Sequence, residues 1–156
     1  MTQAESQARK HPNVLEPIVE NALIVDDSDD DRYLLNRLLG RGKVATQVAQ
    51  AADGQAALDY LAKVCSGHPG SLPSVIFLDI NMPIMGGFEF LEQFARLCES
   101  IPALETVVIA MFSSSNHPDD HRQAEKYPFV RGYIVKMPTN ADELRTTVRD
   151  CLEKAR

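Results

Sequence analysis

Tryptophan is absent, aromatic residues make up only 6% of the chain, and there are just three cysteines. Cys65, Cys98 and Cys151 are odd in number, far apart and without metal-ligand spacing. That argues against a disulfide framework or a zinc site and makes reduced thiols the default. No apolar run approaches the length of a membrane span, and the first ten residues are polar with no signal-like segment. The expectation is a cytoplasmic protein with no membrane contact. Positive charge is also short: 16 Lys and Arg against 22 Asp and Glu leave a net charge of -6. Neutralising a phosphate backbone takes clustered Lys and Arg, so a nucleic-acid partner is not expected. Neither G-x-G-x-x-G nor G-x-x-x-x-G-K-[ST] follows the first apolar run, which argues against a nucleotide-binding Rossmann or P-loop enzyme. Repeats and low-complexity segments are missing too.

What is present is an ordinary globular composition, 44% apolar and 24% charged over 156 residues, enough for one domain with a real core. Residues 1–20 carry Pro12 and Pro17 among polar residues without clear periodicity and read as a poorly ordered N-terminal extension. The domain then runs over 21–156. Ala22-Leu23-Ile24-Val25 is a buried strand ending on Asp26-Asp27. Ser28 is a good helix N-cap, and Asp29, Asp30 and Asp31 suit the first turn of a helix whose dipole favours negative charge there. Leu34, Leu35, Leu38 and Leu39 give that helix an apolar stripe, ended by Gly40 to Gly42. A weaker strand at 44–49 leads through Asp53-Gly54 into a helix with Ala57, Leu58, Leu61 and Val64 on one face. Val75-Ile76-Phe77-Leu78 is a strand buried on both faces that ends on Asp79, and Pro83 with Gly86-Gly87 turns the chain. A helix at 88–97, a strand at 107–112 ending on Ser113, a short helix from Pro118 closed by Pro128, a strand at 132–135 ending at Lys136, and a last helix capped by Asn140 complete the pattern. Five alternating strand–helix units imply a parallel sheet with helices on both faces and right-handed crossovers. The expected architecture is α/β, a flavodoxin-like (βα)5 doubly wound sheet of strand order 2-1-3-4-5.

In such a sheet the strand ends share one edge, which gathers Asp26, Asp27, Asp79, Ser113 and Lys136. Three carboxylates packed together repel one another, so the site either holds a proton or binds a cation. Oxygen ligands alone suit a hard ion such as Mg²⁺. A Lys and a hydroxyl beside them make sense if a phosphoryl group arrives. Asp79 could then act as nucleophile towards phosphorus, with Lys136 and Ser113 holding the oxygens.

Ile24-Val25-Asp26-Asp27, Leu78-Asp79-Ile80-Asn81-Met82-Pro83, Ser113 after an apolar strand, and Tyr133-Ile134-Val135-Lys136, in that order, resemble the response-regulator receiver domain of two-component signalling. The resemblance runs from about Ala22 to Lys154. It implies that Asp79 is the phosphoacceptor and that Asp27 and Asp79 ligate Mg²⁺ directly. Asp26 would act largely through water and Asn81 through its backbone carbonyl. Ser113 would follow the phosphoryl group, Tyr133 would be the aromatic switch whose ring moves inward, and Lys136 would pair with a phosphoryl oxygen. The implied donor is a histidine kinase or a histidine phosphotransfer protein. With the chain ending after its fifth helix, the expectation is a stand-alone regulator that signals to an unknown downstream protein, as a monomer or weak homodimer. It is not expected to be an enzyme, beyond assisting its own phosphorylation and dephosphorylation.

This sequence departs from the family pattern in places. Met137 separates Lys136 from Pro138, where the family usually has Lys-Pro with a cis bond; for Met137-Pro138 trans is the ordinary state. Gly86-Gly87 stands where Asp-Gly is common. The longer loops at 65–73 and 98–106 resemble stand-alone regulators paired with phytochrome-type kinases. Competing readings are weaker. A calcium loop starting at Asp27 has Arg32 where Gly is needed and Leu38 where Glu is needed. An Mg²⁺-dependent phosphatase with Asp27 as nucleophile lacks the Thr that follows its Asp-x-Asp. A flavin binder would meet repulsion from the acids after strand one. A receiver-like binding module that has lost phosphorylation is the remaining alternative. His11, His68, His117 and His121 form no cluster and read as surface residues.

Overall fold

The computed structural model describes residues 15–137 and 139–154. Five strands, β1 (Val19–Val25), β2 (Ala45–Ala51), β3 (Val75–Leu78), β4 (Val108–Ser113) and β5 (Val130–Val135), alternate with five α-helices. These are α1 (Asp29–Arg41), α2 (Gly54–Gly67), α3 (Gly87–Ser100), α4 (Pro118–Glu125) and α5 (Ala141–Lys154). The strands form one sheet in the order 2-1-3-4-5, and every neighbouring pair is parallel. This is the doubly wound, flavodoxin-like architecture expected from the sequence.

Period-two alternation explains why the strands read as unbroken apolar runs. Leu23, Val25, Ile76, Leu78, Ile109 and Met111 pack on one side of the sheet with Ala57 and Leu61 of α2, Phe90, Leu91 and Phe94 of α3, and Ala124 of α4. Ala22, Ile24, Val75, Phe77, Val108, Ala110 and Phe112 pack on the other, with Leu35 and Leu39 of α1 and Leu144, Val148 and Cys151 of α5. Both faces of β3 and β4 are therefore buried, and their polar ends are left at the edge. The helix starts follow their caps: Ser28 Oγ accepts from Asp31 N–H, Asp53 Oδ1 from Ala56 N–H and Asn140 Oδ1 from Glu143 N–H.

The structure differs from the sequence reading at several boundaries. β1 begins at Val19, because Val19 pairs with Ala45, so Val19 and Glu20 belong to the sheet and not to the extension. Residues 1–14 of that extension lie outside the described residues. β2 continues to Ala51, and β5 starts at Val130, two residues early, with a register shift opposite Ile109 and Ala110. The long loops fold into short 3₁₀ turns at Pro69–Ser71 and Pro102–Thr106. In α1 only Leu35 and Leu39 are buried; Leu34 is 46% exposed, since a helix against a sheet can turn only part of so wide a stripe inward.

The turn into α3 holds the site in place by close backbone approach. Gly87 N–H donates to Ile80 O, and a Cβ on Gly87 would lie 2.4 Å from the carbonyl oxygen of Asp79. That contact is to backbone, which cannot rotate away. Gly87→Ala is expected to destabilise the domain by about 2–3 kcal/mol, the range of overpacked cores, in urea unfolding. Gly40, in the last turn of α1, has nothing within 4 Å of its Cβ position. Gly40→Ala should leave stability unchanged or raise it by about 0.5 kcal/mol, through lower unfolded-state entropy.

Candidate functional site

Parallel strands end together, and the register brings Asp26, the residue after β1, beside the end of β3. Asp26 N–H donates to Ala51 O and Asp79 N–H to Val25 O, so both carboxylates leave the sheet from fixed backbone. Asp26 and Asp79 are buried, at 2% and 7% exposure, while Asp27 is exposed. One oxygen from each of Asp26, Asp27 and Asp79 falls within 4.8 Å of the others. Three carboxylates at that spacing form a donor set suited to a hard divalent cation, whose charge would relieve their repulsion. Asn81, in the loop after β3, is exposed.

Lys136 follows β5 and is pinned there by its own N–H, which donates to Ser113 O. Its ammonium lies 2.7 Å from Asp26 Oδ2, 2.7 Å from Asp31 Oδ2 and 3.7 Å from Asp79 Oδ1. Burial alone would lower the pKa of this amine. The hydrogen bonds to Asp26 and Asp31, with the charges of Asp79 and Asp26, outweigh burial and raise it. The Asp79 pKa is raised too, which for a carboxyl favours the neutral form. Burial first, then the Asp26 charge, push it from the ordinary 3.8 up to about 6, although Lys136 and the Ile80 N–H pull it down.

Ser113 is fully buried and its Oγ accepts from Ser115 N–H at 3.1 Å. Tyr133 is half-buried, and its phenol donates to Ser115 O at 2.8 Å. Burial pushes the Tyr133 phenol up. The structure thus gathers Asp26, Asp27, Asp79, Ser113 and Lys136 at one sheet edge, with Tyr133 connected to Ser113 through Ser115.

Two participants escaped the sequence reading. Asp31 is a first-turn acid as expected, and it is also a direct partner of Lys136. His121, expected at the surface, is half-buried and stacks on the Tyr133 ring, with centroids 3.7 Å apart and planes 20° from parallel. Asp31 lies five residues after Asp26, four of them helix-start positions, a spacing from which a carboxylate facing the strand ends could have been suspected. Nothing in the sequence signals His121. The Met137–Pro138 bond lies outside the described residues.

The response regulator receiver domain model matches residues 22–149, from the first buried strand into α5. The chain belongs to this family. As such it is a component of two-component signalling, in which receivers interact with histidine kinases or phosphotransfer proteins. It is 37% identical over 133 residues to the sporulation initiation phosphotransferase F of Bacillus subtilis, covering 85% of this chain and 94% of that protein. A two-component response regulator from Cytophaga hutchinsonii superposes with a TM-score of 0.76 at 27% identity, over 88% of this receiver and 99% of that chain. The phosphorylated cyanobacterial phytochrome response regulator RcpA gives 0.66 at 25% identity, over 82% and 88%. A phytochrome-associated regulator is thus among the structural neighbours. No helix among the described residues is long and apolar enough to cross a membrane.

The raised Asp79 carboxyl makes a signed stability prediction. Between its ordinary 3.8 and about 6 the native state binds more protons than the unfolded chain, so this group's contribution falls as pH rises through that window. In metal-free protein, Asp79→Asn should therefore add about 1–3 kcal/mol to stability near pH ~7.5 and little near pH ~4. Urea unfolding in a chelator at the two pH values checks this, and an equal effect at both would contradict it.

Proposed function

We propose that Asp79 of this receiver accepts a phosphoryl group from a histidine kinase or phosphotransfer protein in a Mg²⁺-dependent reaction. The observation that carries the reading is a nearly buried carboxylate set between two further acids and one ammonium, with a buried hydroxyl at the end of the neighbouring strand. An Asp79 oxygen attacks phosphorus in line with the donor's P–N bond. The O–P bond forms as the P–N bond breaks, and its electron pair stays on the donor imidazole nitrogen. Asp79 must be ionised to attack, and a cation lowers its pKa by opposing the Asp26 and Asp27 charges.

Asp26, Asp27 and Asp79, with the Asn81 carbonyl, would hold Mg²⁺. Bound there, Mg²⁺ supplies charge neutralisation for the transferring oxygens. Lys136 donates to one phosphoryl oxygen. Ser113 keeps its own proton to donate to another, because its Oγ accepts from Ser115 N–H. Tyr133 reads the position of Ser113 through Ser115, which makes the face of α4, β5 and α5 the output surface. Phosphorylation biases the populations of two arrangements of one hydroxyl and one ring. The protein works in the cytoplasm as a monomer or weak homodimer. It has no external substrate, and its chemistry is confined to its own phosphorylation and dephosphorylation.

Incubation with Mg²⁺ and acetyl phosphate should give an adduct of roughly 80 Da, one HPO₃, in intact-mass spectra. The adduct should vanish in Asp79→Asn and with excess chelator. Its persistence in Asp79→Asn would sink the assignment. Multiple-turnover phosphate release from unrelated monoesters without an adduct would mark a phosphatase, and no reaction at all a phosphorylation-independent binding module.

A further inference from the structure

Lys136 has three N–H donors and three carboxylate neighbours, and they are not equally placed. Asp26 and Asp31 each take a bond of 2.7 Å, whereas Asp79 Oδ1 lies 3.7 Å away, beyond hydrogen-bond reach. The Lys136 side chain is 11% exposed and that of Asp26 3%, but that of Asp31 is 41% exposed. Asp26 leaves the sheet from β1, next to β3, and is one of the three clustered carboxylates. Asp31 reaches it from the first turn of α1, an element fixed by the Ser28 cap, where Asp31 N–H donates to Ser28 Oγ. Cap and ion pair use different groups of the same residue, so the carboxylate is free to engage Lys136.

We propose that Asp31 is a positioning residue that restrains Lys136, holding its ammonium on the α1 side and away from the oxygens bound to Asp79. This rests on the phosphoacceptor reading and deepens it. A donor preorganised towards developing charge accelerates the transfer, and a donor engaged by another carboxylate must first be withdrawn from it. Asp31 therefore slows phosphoryl uptake. It also keeps Lys136 from competing with a cation for Asp79, so it favours Mg²⁺ binding. Both effects act through Lys136, which separates this role from a general charge effect of one more acid.

The test is a double-mutant cycle on the full chain with Asp31→Asn, Lys136→Met and the double variant. The first readout is adduct formation with acetyl phosphate at saturating Mg²⁺. Asp31→Asn should take up phosphoryl roughly 3–10-fold faster than the parent, and less than about 2-fold faster in the Lys136→Met background. The second readout is calorimetric titration with Mg²⁺ alone. There Asp31→Asn should weaken binding several-fold, and much less once Lys136 is gone. Slower or unchanged uptake in Asp31→Asn overturns the proposal, as does an equal change in both backgrounds. If the parent chain takes up no phosphoryl group, the phosphoacceptor reading fails. The Mg²⁺ cycle then decides the restraint by itself: coupling through Lys136 supports it, and none overturns it.

Discussion

One ammonium stands among buried carboxylates, and the arrangement of the sheet edge follows from it. Asp26 and Asp79 have almost no access to water, and an ionised group in that position needs a partner of opposite charge. Lys136 comes from the end of β5, while Asp26 comes from the end of β1, three strands away in the order 2-1-3-4-5. The side chain can reach that far because its own N–H is fastened to Ser113 O at the end of β4. Even so the compensation is incomplete. Burial and the Asp26 charge outweigh the pull of Lys136 and leave Asp79 with a raised carboxyl pKa, so the edge favours whatever brings further positive charge.

The parts of this arrangement visible in the sequence are those where a local rule and the tertiary structure agree. Strands buried on both faces read as apolar runs, so Val75–Leu78 and the run ending on Ser113 stood out, and so did the polar residues after them. Ser28 and Asn140 marked helix starts because capping is local chemistry. Strand order is not written in the sequence directly; 2-1-3-4-5 is the flavodoxin-like expectation for five alternating units with acids on strands one and three, and the sheet has that order. What stayed hidden depends on pairing and rotation. Val19 joins β1 only because β2 lies beside it, and Val130 joins β5 only through an irregular register with β4. Leu34 and Leu35 look alike in the sequence, and the packing of α1 on the sheet decides that one is exposed and the other buried. The same rotation turns Asp31 towards Lys136.

Ser115 connects the charged edge to the surface of α4. All its polar groups are engaged: the N–H with Ser113 Oγ, the carbonyl with the Tyr133 hydroxyl, and the side-chain hydroxyl with Asp120 of α4. His121, the next residue of α4, stacks on the Tyr133 ring. A displacement of the Ser113 hydroxyl therefore has to break its bond to Ser115 N–H or carry Ser115 with it; the Ser115 carbonyl holds the Tyr133 hydroxyl, and its side-chain hydroxyl holds Asp120 in the first turn of α4. Small shifts spread when the groups along the path have discrete partners and no slack. The ring of Tyr133 has a hydrogen bond at one end and an imidazole against its face, so leaving this position breaks both contacts together. Contacts that break together favour discrete positions over a continuum, the physical requirement for the proposed switch worked by a single group at the sheet edge.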